Sequence, residues 1–173
     1  MTKKLAALVS WVCTAWLVLL PLGMLYLLIN ISTLASLAAS NLALPIQWHT
    51  VDNGQWYALW TITVAYLGIG LAAVWYLRKA FSSFARGNWF DGDNSVWLRR
   101  FAVLLMLQGV AGPVHLALSS LILSFNHPPG ERTLSITAGS NELGLIVAGL
   151  IMWVLADLLV KGTQADAENR QFV

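Results

Sequence analysis

Residues 5–30 read LAALVSWVCTAWLVLLPLGMLYLLIN, with no charged side chain from Leu5 to Asn30. A helix of about 20 apolar residues crosses roughly 30 Å of hydrocarbon, so this stretch alone predicts a membrane span. Pro21 lies inside it, where the missing N–H predicts a bend. Lys3 and Lys4 precede it and give the start a signal-like look. The apolar run outlasts the roughly 7–15 residues of a signal core, which predicts an uncleaved first span.

Three further apolar stretches follow, at about 55–77, 96–125 and 143–160. They predict external loops at 32–55 and 126–141, a cytoplasmic loop at 78–94 and a polar cytoplasmic tail at 161–173. Within the first loop, Leu34–Leu44 is apolar enough for a short interfacial helix. Trp48, Trp56, Tyr57 and Trp60 mark one membrane face, because indole and phenol rings favour the headgroup level. Gly68 and Gly70 predict a close helix contact. Asp91 or Asp93 suits the cap of the third span, and Leu134–Thr137 is a candidate short strand.

Composition agrees. Of 173 residues, 58% are hydrophobic and 10% charged, and mean hydropathy is +0.68. A soluble domain carries about 25% charged residues, so lipid must cover much of this surface. The net charge of +2 and the lack of a long basic patch argue against direct nucleic-acid binding. Cys13 is the single cysteine; it has no disulfide partner within the chain.

Charge placement predicts orientation. Lys3, Lys4, Arg78, Lys79, Arg86, Arg99, Arg100, Lys161 and Arg170 fall in the predicted cytoplasmic parts, which is nine of the ten basic residues; Arg132 is the tenth. The positive-inside rule therefore puts both termini in the cytoplasm. The expected fold is all-α: a polytopic membrane protein built as an antiparallel four-helix transmembrane bundle, since each connection is short enough to join antiparallel neighbours.

The third span has a polar centre in Gln108, Gly109, Gly112, Pro113, His115, Ser119 and Ser120. Intramembrane polar residues are functional candidates, here Gln108, Pro113 and His115. The plain reading of His115 is a neutral imidazole bonded to a Ser, Thr or Asn of another helix. Haem ligation needs an axial partner, and no other span contains a histidine. Asp157 and Lys161 stand one turn apart and read as a surface ion pair or as snorkelling side chains. His49, His127, Asp52, Glu131 and Glu142 lack compact metal-ligand spacing. Without HExxH, GxSxG, P-loop or GxGxxG patterns, no catalytic residue, cofactor or metal is expected.

Two predicted cytoplasmic stretches carry a resemblance. One runs Phe84-Ala-Arg-Gly87-Asn-Trp-Phe90, then Asn94 and Leu98–Arg99. The other runs Gly162-Thr-Gln-Ala165-Asp166-Ala-Glu168-Asn169-Arg-Gln-Phe-Val173. Together they resemble a bacterial membrane-protein family known as domain of unknown function 2975. Its members usually have Leu near the position of Ala165 and a second carboxylate closer to that of Glu168. The resemblance implies a multi-pass protein of the bacterial inner membrane. Its genes lie beside those of small helix-turn-helix regulators, which implies such a regulator as partner.

The leading functional expectation is thus a non-enzymatic membrane protein that binds or regulates a protein partner at its cytoplasmic face. Phe81, Phe84, Gly87, Trp89, Phe90, Arg99, Arg100, Glu168 and Asn169 are the candidate contacts, because aromatic and arginine side chains anchor interfaces. Asp166–Glu168 is placed to meet Arg99 and Arg100, or a basic partner. The alternatives are a small transporter or transport accessory subunit with Pro113–His115 near its path, and a haem- or metal-binding membrane subunit.

Overall fold

A computed structural model describes residues 2–41, 46–89, 91–128 and 130–171, with side chains except at 41, 49 and 166–171. The described residues form five α-helices: α1 (Thr2–Ile29), α2 (Ile31–Asn41), α3 (Asn53–Arg86), α4 (Gly92–Leu123) and α5 (Ser140–Gln171). One 3-10 turn, Trp48–Thr50, precedes α3. Four helices are long and apolar enough to cross a membrane: α1, α3, α4 and the Ser140–Ala165 part of α5. They alternate in direction and pack in sequence, α1 on α3, α3 on α4 and α4 on α5. The chain is an all-α, antiparallel four-helix bundle of membrane-spanning type.

Local signals set the helix limits. Asp52 Oδ1 accepts from the Gln55 N–H at 2.8 Å, and Gln55 Oε1 accepts from the Asp52 N–H at 2.8 Å. This reciprocal capping box starts α3. Gly87, at φ 92°, closes α3 in the left-handed conformation that lets its N–H turn back to the Phe84 and Ser83 carbonyls. Asp91 caps α4. Glu142 reaches back to the Gly139 N–H at 2.8 Å and caps α5.

The elements depart from expectation in several places. The connection predicted at 78–94 is helical through Arg86, and α4 already begins at Gly92. The short helix expected at Leu34–Leu44 occupies Ile31–Asn41. The polar 161–173 stretch continues α5 as far as Gln171. No strand forms at Leu134–Thr137; among the described residues there is none. That segment instead runs beside α4, where the Thr133 and Ser135 N–H groups donate to Ser124 Oγ at 3.1 Å and Ser120 Oγ at 2.9 Å.

The helix contacts also differ. A Cβ built on Gly68 meets nothing within 4 Å, and one on Gly70 would only touch the Gln108 amide. The close approach lies between α4 and α5. A Cβ on Gly109 would sit 2.7 Å from the Glu142 carbonyl oxygen, and one on Gly149 would sit 2.8 Å from the Ala102 carbonyl oxygen. Small residues let two backbones meet where lipid offers no hydrophobic drive between helices.

Buried apolar residues gather at the two ends. Leu34 and Ala38 of α2 join Ile46, Trp56, Leu59 and Leu123 at one. Ala6, Ala80, Phe84, Leu98 and Ala156 join α1, α3, α4 and α5 at the other. The second end also carries Lys3, Arg78, Arg99 and Arg100 and is termed the basic end.

Candidate functional site

The sequence motif around Phe84–Arg99 builds the basic end from within. Phe84 is buried. Its ring stacks on Trp89 with centroids 5.0 Å apart, while Phe81 meets it edge-on at 5.7 Å. Asn94 is fully buried and donates from Nδ2 to the Asn88 carbonyl at 2.6 Å. The Ser83 hydroxyl donates to the same carbonyl. The Lys3 ammonium lies over Gly87, where a cation complements the carbonyl end of α3.

Of the expected interface residues, Phe84 is buried in the core and Gly87 is the helix cap. Trp89 and Phe81 are half-buried. Arg86, Asn88, Asp91 and Asp93 are the exposed side chains around the turn. Phe90 lies outside the described residues, as do the side chains of Asp166, Glu168 and Asn169. Asn94 was missed as a candidate, though a buried amide beside a five-residue connection is the natural device to hold it.

Adjacent arginines on α4 meet different neighbouring helices. Arg99 forms an ion pair with Asp157 of α5 and lies over the Trp153 ring at 5.5 Å. Arg100 lies over the Tyr76 ring of α3 at 5.3 Å, with Nη1 donating to the Tyr76 hydroxyl at 3.3 Å. Asp157 therefore pairs across helices rather than with Lys161 as expected. The reason is geometric: interlocking α4 and α5 brings Arg99 within reach of its carboxylate.

The polar centre of α4 divides among its neighbours. His115 Nε2 lies 3.0 Å from Thr63 Oγ1, and its ring stacks on Tyr66 with centroids 4.8 Å apart. A shallow groove of about 230 Å3 opens beside them, with apolar walls apart from Tyr66 and His115. Ser119 donates to the His115 carbonyl at 2.7 Å. Gln108 is buried against Gly70, and its Oε1 accepts no hydrogen bond. Pro113 continues within α4, whose helix runs unbroken from Gly92 to Leu123.

At the end opposite the basic one, hydrogen bonds knit the loops. Gln55 Nε2 donates to the Ile122 carbonyl at 2.6 Å, and Asn126 donates to Gln55 Oε1 at 2.9 Å. The Gln47 N–H donates to His127 Nε2 at 3.2 Å. That acceptor role places the imidazole proton on Nδ1, facing the Glu131 carbonyl at 3.3 Å. Asp52, His127 and Glu142 are thus engaged separately, as cap, loop anchor and cap; the His49 side chain lies outside the described residues.

The family model described as a protein of unknown function (DUF2975) matches residues 34–172. No curated protein and no solved structure matches the chain.

Proposed function

The chain belongs to the DUF2975 family, and from that membership we propose that it is a non-enzymatic protein of the bacterial inner membrane, with both termini cytoplasmic, that engages a protein partner at its basic end. A small helix-turn-helix regulator is the proposed partner class. The single observation that carries this reading is the set of contacts that holds Gly87, Asn88 and Trp89 after α3: a cap, two hydrogen bonds to the Asn88 carbonyl and a ring stack. A pre-ordered surface loses little conformational freedom on binding. The turn displays Arg86, Asn88, Asp91 and Asp93 to water, at the end where nine of ten basic residues fall.

Capture from mild detergent tests the reading. Wild-type protein is expected to retain a cytoplasmic protein, and the exposed double change Arg86→Glu with Asn88→Asp to release it. Retention by the double variant at the wild-type level counts against this site. Capture of no cytoplasmic protein counts against the function.

A further inference from the structure

We propose that the groove between α3, α4 and α5 at the basic end binds one anionic phospholipid, with the headgroup phosphate at Arg100 and an acyl chain along α4. The groove encloses about 530 Å3, and Tyr76, Arg99, Arg100, Val103, Leu104 and Val160 are among its lining residues. Its polar groups gather toward one end of α4, near the start of the helix. Its walls continue as valine and leucine toward the middle of the bundle. Val96 and Val160 flank the arginines, and Val103 and Leu104 carry the apolar wall onward, a surface suited to a lipid whose headgroup meets the cations and whose chain follows α4.

Charge selects the kind of lipid. Among the described residues the one ion pair is Arg99–Asp157, and among them Arg100 meets the hydroxyl and ring of Tyr76 and no carboxylate. Tyr76 holds that guanidinium at the groove through the 3.3 Å hydrogen bond and the ring contact. Arg99 keeps half of its side chain exposed while paired. Asp91, Asp93 and Asp157 do not line the groove. Guanidinium N–H groups suit phosphate oxygens, and basic pockets between spanning helices are known headgroup sites.

Apolar walls favour a lipid over a soluble anion. Val103 is 42% exposed on the wall. Bare phosphate would leave that surface uncovered, whereas an acyl chain covers it without displacing either arginine. The inference is independent of any protein partner and rests on the four spanning helices.

Native mass spectrometry of the full-length protein in detergent tests it, with phosphatidylglycerol and phosphatidylcholine offered at equal concentration. Phosphatidylglycerol adducts are expected to exceed phosphatidylcholine adducts by about fivefold, the scale of one basic residue on an anionic lipid. Arg100→Gln should remove that preference, while Lys4→Gln should keep it. Val103→Trp, which fills the groove and leaves both arginines, should lower all adducts. Millimolar inorganic phosphate should not displace the lipid.

Equal binding of the two lipids by wild type overturns the proposal. So does an Arg100→Gln preference matching that of Lys4→Gln, or undiminished adducts on Val103→Trp. Displacement by inorganic phosphate would make this a soluble-anion site and overturn it equally.

Discussion

Gly109 of α4 faces the Glu142 carbonyl of α5 so closely that a Cβ added to the glycine would lie 2.7 Å from that oxygen. A backbone atom cannot step aside as a flexible side chain can. The approach fixes where α5 begins along α4. Beyond Gly109, α4 continues to Leu123, about 21 Å at 1.5 Å per residue, and the Thr133–Ser135 segment packs along its last turns.

Gly109→Ala is expected to destabilise the bundle by about 1–3 kcal/mol, the usual cost of overpacking. Gly149→Ala should act in the same direction, since its Cβ would meet the Ala102 carbonyl oxygen at 2.8 Å. Gly68→Ala should be neutral or slightly stabilising, because its Cβ meets nothing within 4 Å and alanine is the better helix former. Reversible unfolding in mixed micelles measures all three. Equal effects at Gly109 and Gly68 would contradict the packing.

Asn94→Ala removes the side-chain donor to the Asn88 carbonyl. The Ser83 hydroxyl still reaches that carbonyl, so the cost is that of one net hydrogen bond, about 0.5–1.5 kcal/mol. The loss should be local: amide hydrogen exchange should accelerate across residues 87–93 and stay unchanged in the Trp56–Leu59 region at the far end. Uniform acceleration would mean that Asn94 supports the whole bundle rather than the turn.

Thr63 and His115 link α3 to α4. Hydrogen bonds between membrane helices average about 0.6 kcal/mol and reach about 1.7. A double-mutant cycle of Thr63→Val and His115→Phe should give a coupling energy in that range. Zero coupling would show that the imidazole is held by the Tyr66 stack alone.

Orientation is open to a labelling test in a Cys13→Ser background, since Cys13 is the one native cysteine. With a membrane-impermeant maleimide on intact cells, Arg132→Cys should react at once. Arg86→Cys should react only after the membrane is opened. The reverse pattern would overturn the proposed cytoplasmic basic end.

Much of the architecture was legible in the residues, and the candidate site far less. Leu5–Asn30 declares a span because hydrocarbon demands about 20 uncharged residues in a row. The polar centre of α4 was visible as an anomaly, and the imidazole bonded to a hydroxyl of another helix was among its readings. The direction of each polar group was not visible. Ser120 and Ser124 turned out to receive loop N–H groups, and Phe84 turned inward although its neighbours in sequence suggested an exposed anchor.

By itself, the sequence of this DUF2975 chain determined how many times it can cross a membrane and which end gathers the cations. Each of those follows from length and charge along the chain. Only the tertiary structure decided that α4 and α5 interlock at Gly109 and Gly149, that Arg99 and Arg100 part toward different helices, and that Asn94 locks the turn. The reason is the solvent. In water, apolar periodicity marks the face of a helix that turns inward. In lipid the outward face is as apolar as the core, so the pattern along α4 carries no such mark, and shape and hydrogen bonding between helices choose the neighbours.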